Sequence, residues 1–505
     1  MSPYLIGITI VLYAAILLLS SWLSARKAGN REFFGSKKGT THWGIVGVAM
    51  ISAAMSGITF ISIPGSVAAN SFSYLQMTLG FILGNIFITF VLIPIFYKTG
   101  VVSLYEYLRI RFGANSHLCG ACFFTLSKLL NTSLRTFVVS AVLQPLLFEP
   151  IGIPFWVNAT LTMLLVWLYT NRGGVKSVIW ADVLKTICLV GSIVFCIIFI
   201  IRGLGVSYSN AVDMIASHPY SQTFFFDNID DRRYFFKQLL AGFFMIIATT
   251  GLDQDVMQRA LNCRTRRESQ RNMLISIVLQ TLIIFLLLSL GVLLYTYVEQ
   301  QGYISIGEGV YPLSNGTSSI LRPDQLFGAV ATSESAPAIF GVMFILALVA
   351  ATYSSAGSAL TSLTTSFTID IVGATKHHSE ERIMRIRKVV HLAISVAITL
   401  LMILFYHLTN DSSINTFYKL ASYTYGPILG LFLFGIASKR KVRDGVVPII
   451  AIISPLLSLL LDNMSVKWFG GYEFSFELLL VNALITIVGL YVSSINFNAN
   501  GDKNR

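Results

Sequence analysis

Ala351, Ser354, Ser355 and Ser358 fall at i, i+3, i+4 and i+7 and so share one face of a helix. Hydroxyls converging with backbone carbonyls can replace the water around a hard cation such as sodium without making its release prohibitive. A serine stripe is also ordinary contact material between apolar helices. Two ionisable residues interrupt apolar stretches: Asp182, roughly 10 Å from the start of its helix at 1.5 Å per residue, and Arg135. An unpaired charge at such a depth in a bilayer costs at least about 2.5 kcal/mol. The two therefore either neutralise each other or serve separately, Asp182 holding a cation and Arg135 a solute. Small polar residues also cluster at Ser52-Ala53-Ala54-Met55-Ser56-Gly57-Ile58-Thr59 and at Ala248-Thr249-Thr250-Gly251-Leu252-Asp253-Gln254-Asp255. Such runs suggest interrupted helices whose freed carbonyls line a cavity, although small residues also let helices approach closely.

What must position these residues is a membrane bundle. Hydrophobic residues make up 54% of the 505 positions and charged residues 12%, at a mean hydropathy of +0.71, against about 25% charge in a soluble domain. The net charge of +12 does not indicate nucleic acid, because the basic residues lie in short segments between long apolar stretches, where they set orientation. A crossing helix needs about 20 apolar residues, and thirteen stretches are predicted to cross. A leading helix over Tyr4–Ser24 precedes spans one (Trp43–Ala69), two (Tyr74–Tyr97), three (Leu118–Leu147), four (Phe155–Tyr169), five (Val175–Ile201) and six (Phe236–Val256). Seven is Met273–Val298, eight Ala336–Ile371, nine Val389–Tyr406, ten Phe417–Ala437, eleven Val446–Leu461 and twelve Leu478–Val492. The leading stretch lacks a basic leader and is followed by Arg26 and Lys27, so it reads as retained and not as a cleaved signal.

Loop charge sets the orientation. Lys and Arg follow the leading helix and spans two, four, six, eight and ten, as at Lys37, Arg109, Arg172, Arg259, Arg264, Arg382 and Lys439. Glu149, Asp213, Glu308 and Asp411 mark the alternate segments. The amino terminus is thereby expected outside and the carboxyl terminus inside. The interrupted spans one and six are five spans apart and face opposite ways, the arrangement of an inverted five-helix repeat with a broken first helix in each half. One transmembrane domain is expected over 1–505: leading helix and inner loop 1–42, repeats 43–202 and 203–437, and two trailing helices with a tail, 438–505. Cys119 and Cys122 form a CxxC, but with no βαβ context they read as packing residues. His42, His117, His218, His377, His378 and His407 lie in loops or at span ends, and no HExxH is present, so no enzyme is expected.

Phe33-Phe34-Gly35 leads to Trp43, and SGITFISIPG (Ser56–Gly65), SLYEYLRIRFG (Ser103–Gly113) and GGVKSVIWADVLK (Gly173–Lys185) follow. GLDQDVMQR (Gly251–Arg259), ATYSSAGSAL (Ala351–Leu360) and SYTYGPILGLFLFG (Ser422–Gly435) come next in order. Through these motifs the chain, from Phe33 to Gly435, resembles the sodium:solute symporter family. The resemblance implies an all-α, leucine-transporter-type fold that moves a small solute with co-transported sodium by alternating access. The sodium site it implies uses carbonyls of Ser52, Met55 and Ala351 and hydroxyls of Ser354 and Ser355. A second cation site seen in some members would use Asp182, Ser354 and Ser358. Gly357 stands where such members carry a hydroxyl, so one sodium per solute is expected.

Candidate solute contacts are Ser56, Thr59, Gln76, Thr78, Asn131, Arg135, Asp253 and Gln254. The SxxTF run from Ser56 to Phe60 is similar to that of sialic-acid-transporting members, whose arginine aligns nearer Asn131 than Arg135. The solute is expected to be a polar organic molecule of sugar, sialic acid or amino acid type. The partners expected are that solute and the bilayer, with no nucleic acid, and the monomer is the expected functional unit of a multi-pass plasma-membrane protein (inner membrane in a bacterium). A channel would need an axial ring of ligands, and a sensor a signalling domain; these are the competing readings.

Overall fold

The computed structural model describes residues 2–25, 55–99, 103–261, 263, 265–301, 311–312, 320–321, 323–333, 336–373, 379–408, 413–470, 472, 474 and 476–501. The apolar stretches form helices because lipid offers no partner to a backbone amide, and only a helix satisfies every one within its own segment. In chain order the principal helices are α1 (Pro3–Ala25), α2 (Gly57–Gly65), α3 (Val67–Thr99), α4 (Ala114–Leu143), α5 (Phe155–Gly203) and α6 (Phe235–Gly251). They continue as α7 (Gln254–Leu261), α8 (Arg266–Gln300), α9 (Ala338–Ile371), α10 (Glu380–Leu408), α11 (Ser413–Ala437), α12 (Val447–Trp468) and α13 (Leu478–Gly501). The described strands are a two-residue antiparallel pair, Tyr311–Pro312 with Ile320–Leu321.

Among the described residues nine helices are long and apolar enough to cross a bilayer, or ten if the bent pair α6 and α7 counts as one span. The expected thirteen differ for traceable reasons, and span twelve is described as a shorter apolar helix, Leu478–Ser494. The first half of span one, with Ser52, lies outside the described residues. The turn expected between spans four and five is absent: α5 is helical over 49 residues, through Gly173 and Gly174. Each of these glycines costs a helix only about 1 kcal/mol relative to alanine, and no proline follows to stop it. The break expected in span six is present. Ile247–Gly251 widens into a π-helical turn, and α7 leaves α6 at 63°. Met55 and Ser56 are non-helical ahead of α2, with Ser56 extended and its amide donating to the Thr59 hydroxyl at 3.4 Å.

Packing draws the broken segments inward. α9 lies along α5, α3 along α6 and α11 along α13. The α3–α6 contact is backbone to backbone: a Cβ on Gly80 would lie 2.2 Å from the Leu239 carbonyl oxygen, and one on Gly242 2.1 Å from that of Met77. Small residues permit such approach between membrane helices. His391, inside α10, bridges Thr170 at 3.0 Å and Thr364 at 2.9 Å and pins α10 to α5 and α9. Val11, Leu400 and Leu456 are exposed apolar side chains of crossing helices, which a bilayer would cover. The chain is a multi-pass membrane protein.

Candidate functional site

The start of α2, the middle of α4 and α5, the α6–α7 junction, α9 and α11 converge on a cavity of about 110 Å³. Its wall includes Ser56, Thr59, Asn131, Arg135 and Asp253 of the expected solute contacts. The other three are engaged elsewhere. Gln76 donates to the Arg233 carbonyl at 2.7 Å and accepts from the Phe225 amide at 3.1 Å, so it pins the segment ahead of α6. Thr78 donates back to the Tyr74 carbonyl at 2.8 Å, and Gln254 accepts from the Leu104 amide at 2.8 Å.

Of the expected sodium ligands, Met55 and Ser355 are brought together: the Ser355 hydroxyl lies 3.5 Å from the Met55 carbonyl oxygen. Ala351 is buried one turn earlier on α9. Ser354 instead donates to the carboxylate of Asp182. The residues of the expected second site are engaged by a cation belonging to the protein. Arg259 Nη1 lies 2.5 Å from Asp182 Oδ2, and its Nη2 lies 3.1 Å from Asp255 Oδ1 and donates to the Ser358 hydroxyl. Ser358 in turn donates to Asp255 at 2.6 Å. The ion pair of Asp182 is thus with Arg259, where mutual neutralisation with Arg135 was one expectation. The place of the missing hydroxyl at Gly357 is filled too. A Cβ there would lie 1.6 Å from the Tyr169 hydroxyl, which donates to the Tyr353 carbonyl at 2.8 Å.

The ion pairs continue. Lys128 Nζ lies 2.6 Å from Asp253 and 3.8 Å from Asp255, so Asp253, Lys128, Asp255, Arg259 and Asp182 form one chain. Asp182 and Arg259 are 1% and 4% exposed, and charges so far from water persist only when paired. Lys185, 1% exposed, donates to Ser355 at 2.8 Å. Arg135 sits seven residues beyond Lys128 on α4, about 10 Å along the axis. It lies within electrostatic reach of Tyr74, Tyr418, Tyr425 and Asp253. Tyr74 and Tyr418 meet hydroxyl to hydroxyl at 2.5 Å in the wall of the cavity.

Sequence reasoning missed Lys128, Lys185, Asp255 and Tyr418, and it placed Arg259 among loop charges, whereas the structure buries it. Two signals were available: Asp255 and Arg259 stand at i, i+4, and Asp182 and Lys185 at i, i+3, the spacings at which helix side chains meet.

Comparison with known proteins gives a consistent picture. A profile of the sodium:solute symporter family matches residues 33–451. The sodium/sialic acid symporter SiaT of Proteus mirabilis is 28% identical over 454 residues, covering 88% of this chain and 87% of that one. The human sodium/iodide cotransporter is 24% identical, covering 70% of this chain and 53% of its own length. Among solved structures, a substrate-bound, outward-open Na+-coupled sialic acid symporter superposes with a TM-score of 0.78, at 23% identity and 97% coverage of both chains.

Proposed function

Because the chain belongs to the sodium:solute symporter family, we propose that it couples the inward movement of sodium to uptake of a small anionic organic solute by alternating access. The observation that carries the solute class is Arg135, a guanidinium in the wall of a hydroxyl-lined cavity. An arginine presents its donors in a planar fork that matches a carboxylate. The solutes named for the two relatives above, sialic acid and iodide, fit an anion-attracting wall. Sodium is assigned to the Met55 and Ala351 carbonyls and the Ser354 and Ser355 hydroxyls, with Ser52 completing the set. Arg259 and Tyr169 take up the surroundings of Asp182 and Gly357, which supports one sodium per solute. The inverted-repeat arrangement, the outward amino terminus, a plasma-membrane (or bacterial inner-membrane) location and a monomeric unit belong to the same reading.

Uptake into proteoliposomes under an inward sodium gradient, screened with labelled sialic acid, monocarboxylates, neutral hexoses and neutral amino acids, tests it. The expected result is accumulation of an acid that collapses without sodium and falls at least about tenfold in Arg135→Gln, the range for losing a charged hydrogen-bond partner. Sodium-driven uptake of a neutral solute, undiminished in Arg135→Gln, would overturn the assignment.

A further inference from the structure

We propose that the ammonium group of Lys185 is a tethered competitor for the sodium site, which sodium must displace from Ser355 in order to bind. The proposal rests on the assignment of sodium to Ser355 and adds to it a residue that sets how tightly the ion is held.

Lys185 follows Asp182 by three residues on α5, so its side chain leaves the same face of the helix and enters the cavity wall. Its amine donates to the Ser355 hydroxyl at 2.8 Å, and that hydroxyl is directed at the Met55 carbonyl at 3.5 Å. An ammonium is a compact point charge that seeks oxygen lone pairs, as sodium does. Lys185 already occupies one of the two lone pairs that the Ser355 oxygen could offer to sodium. Two unit positive charges sharing one oxygen in a buried setting repel strongly, because little water intervenes to screen them. Sodium and the Lys185–Ser355 bond therefore exclude each other.

The displaced amine has somewhere to go. A lysine carries its charge on a flexible four-carbon stem, and Lys185 already borders the cavity that Arg135 and Asp253 also line. An ammonium pushed off Ser355 moves its charge toward the space assigned to the anionic solute. Sodium would then favour solute binding without touching it, and solute would favour sodium equally, since coupling between two binding events is reciprocal.

Direct binding of 22Na+ to the purified full chain in lipid nanodiscs tests this with no knowledge of the solute. Lys185→Gln and Lys185→Met, which remove the charge and are one atom shorter, are expected to bind sodium at least about tenfold more tightly than the unmutated chain, a change of about 1.4 kcal/mol. Lys185→Arg, which keeps a cation, is expected to show no such gain. Either neutral variant suffices, provided it elutes monodisperse. Unchanged or weaker binding in a well-folded neutral variant overturns the proposal, as does an equal gain in Lys185→Arg. Adding Ser355→Ala to the neutral variant separates the two layers of the argument. If tight binding survives that change, or if no variant binds 22Na+, the sodium assignment itself is wrong and the competition falls with it.

Discussion

At one end of the central cavity Asp253, Lys128, Asp255, Arg259 and Asp182 form a continuous chain of ion pairs, while at the other Tyr74 and Tyr418 meet hydroxyl to hydroxyl. The two clusters differ in what parting them requires. Separating buried charges exposes each to a medium that solvates it poorly, and leaving one partner unpaired costs about 3–5 kcal/mol. Parting two phenols forfeits a neutral hydrogen bond whose net contribution is about 0.5–1.5 kcal/mol. A carrier that must open each side in turn would thus open the tyrosine end readily and the charged end only with compensation. A cation arriving beside Asp182, or a solute drawing Lys128 or Arg135 away from Asp253, would supply it.

Arg259→Gln breaks the comparison most severely. It removes the guanidinium shared by Asp182, Asp255 and Ser358 and leaves the buried carboxylate of Asp182 and the partly exposed one of Asp255 with less compensation. The expected loss is about 3–5 kcal/mol, seen as a large fall in the thermal unfolding midpoint in detergent together with loss of uptake. Adding Asp182→Asn removes one orphaned charge and is expected to recover part of the midpoint. A variant as stable as the parent would mean that the charged end is held by packing alone.

Gly357→Ala comes next and acts behind the charged end. The new methyl would sit 1.6 Å from the Tyr169 hydroxyl, and overpacking of this kind costs about 1–3 kcal/mol. Tyr169→Phe removes the nearer clashing atom but leaves the Tyr169 ring carbon and the Thr170 methyl close to the new methyl, so the double variant is expected to recover part, not all, of the stability lost in Gly357→Ala. Absence of any recovery would show that the phenol does not fill the place of the missing hydroxyl.

What the sequence makes legible is what is encoded locally. Apolar length marks the crossing helices, and clustered small polar residues mark the breaks before α2 and between α6 and α7. Spacing along α9 is enough to gather Ser354, Ser355 and Ser358 on one face. What is not legible depends on which distant segment folds against which. Arg259 stands near Arg264, Arg266 and Arg267 and reads as a loop charge, but the bend after Gly251 turns α7 so that Arg259 meets Asp182, 77 residues away in sequence. Gln76 and Gln254 are polar residues in apolar spans, yet their partners are backbone atoms of Arg233, Phe225 and Leu104, which no local pattern discloses. Tyr169 looks like one more aromatic in span four until the absence of a side chain at Gly357 gives it room. The unbroken α5 is the converse case, where paired glycines beside basic residues suggest a turn and the helix continues.

The smallest expected effect lies at the tyrosine end and sharpens the comparison most finely. The rings of Tyr74 and Tyr418 also meet at a centroid separation of 6.5 Å, tilted by 40°, so replacing either by phenylalanine keeps the ring contact and removes only a hydroxyl. Each single variant leaves the opposite hydroxyl without that partner, and the double variant leaves none. A double-mutant cycle on thermal stability should therefore yield a coupling of about 0.5–1.5 kcal/mol, the range for one neutral hydrogen bond. Such a cycle isolates the pair because the rings, and so the packing, are conserved in all four proteins. Uptake should persist in every one of them, with a modest rise in solute leak, since the cluster they weaken is the readily parted one. A coupling as large as that expected for Arg259 with Asp182 would make the two ends energetically alike and remove the asymmetry on which the proposed order of opening rests.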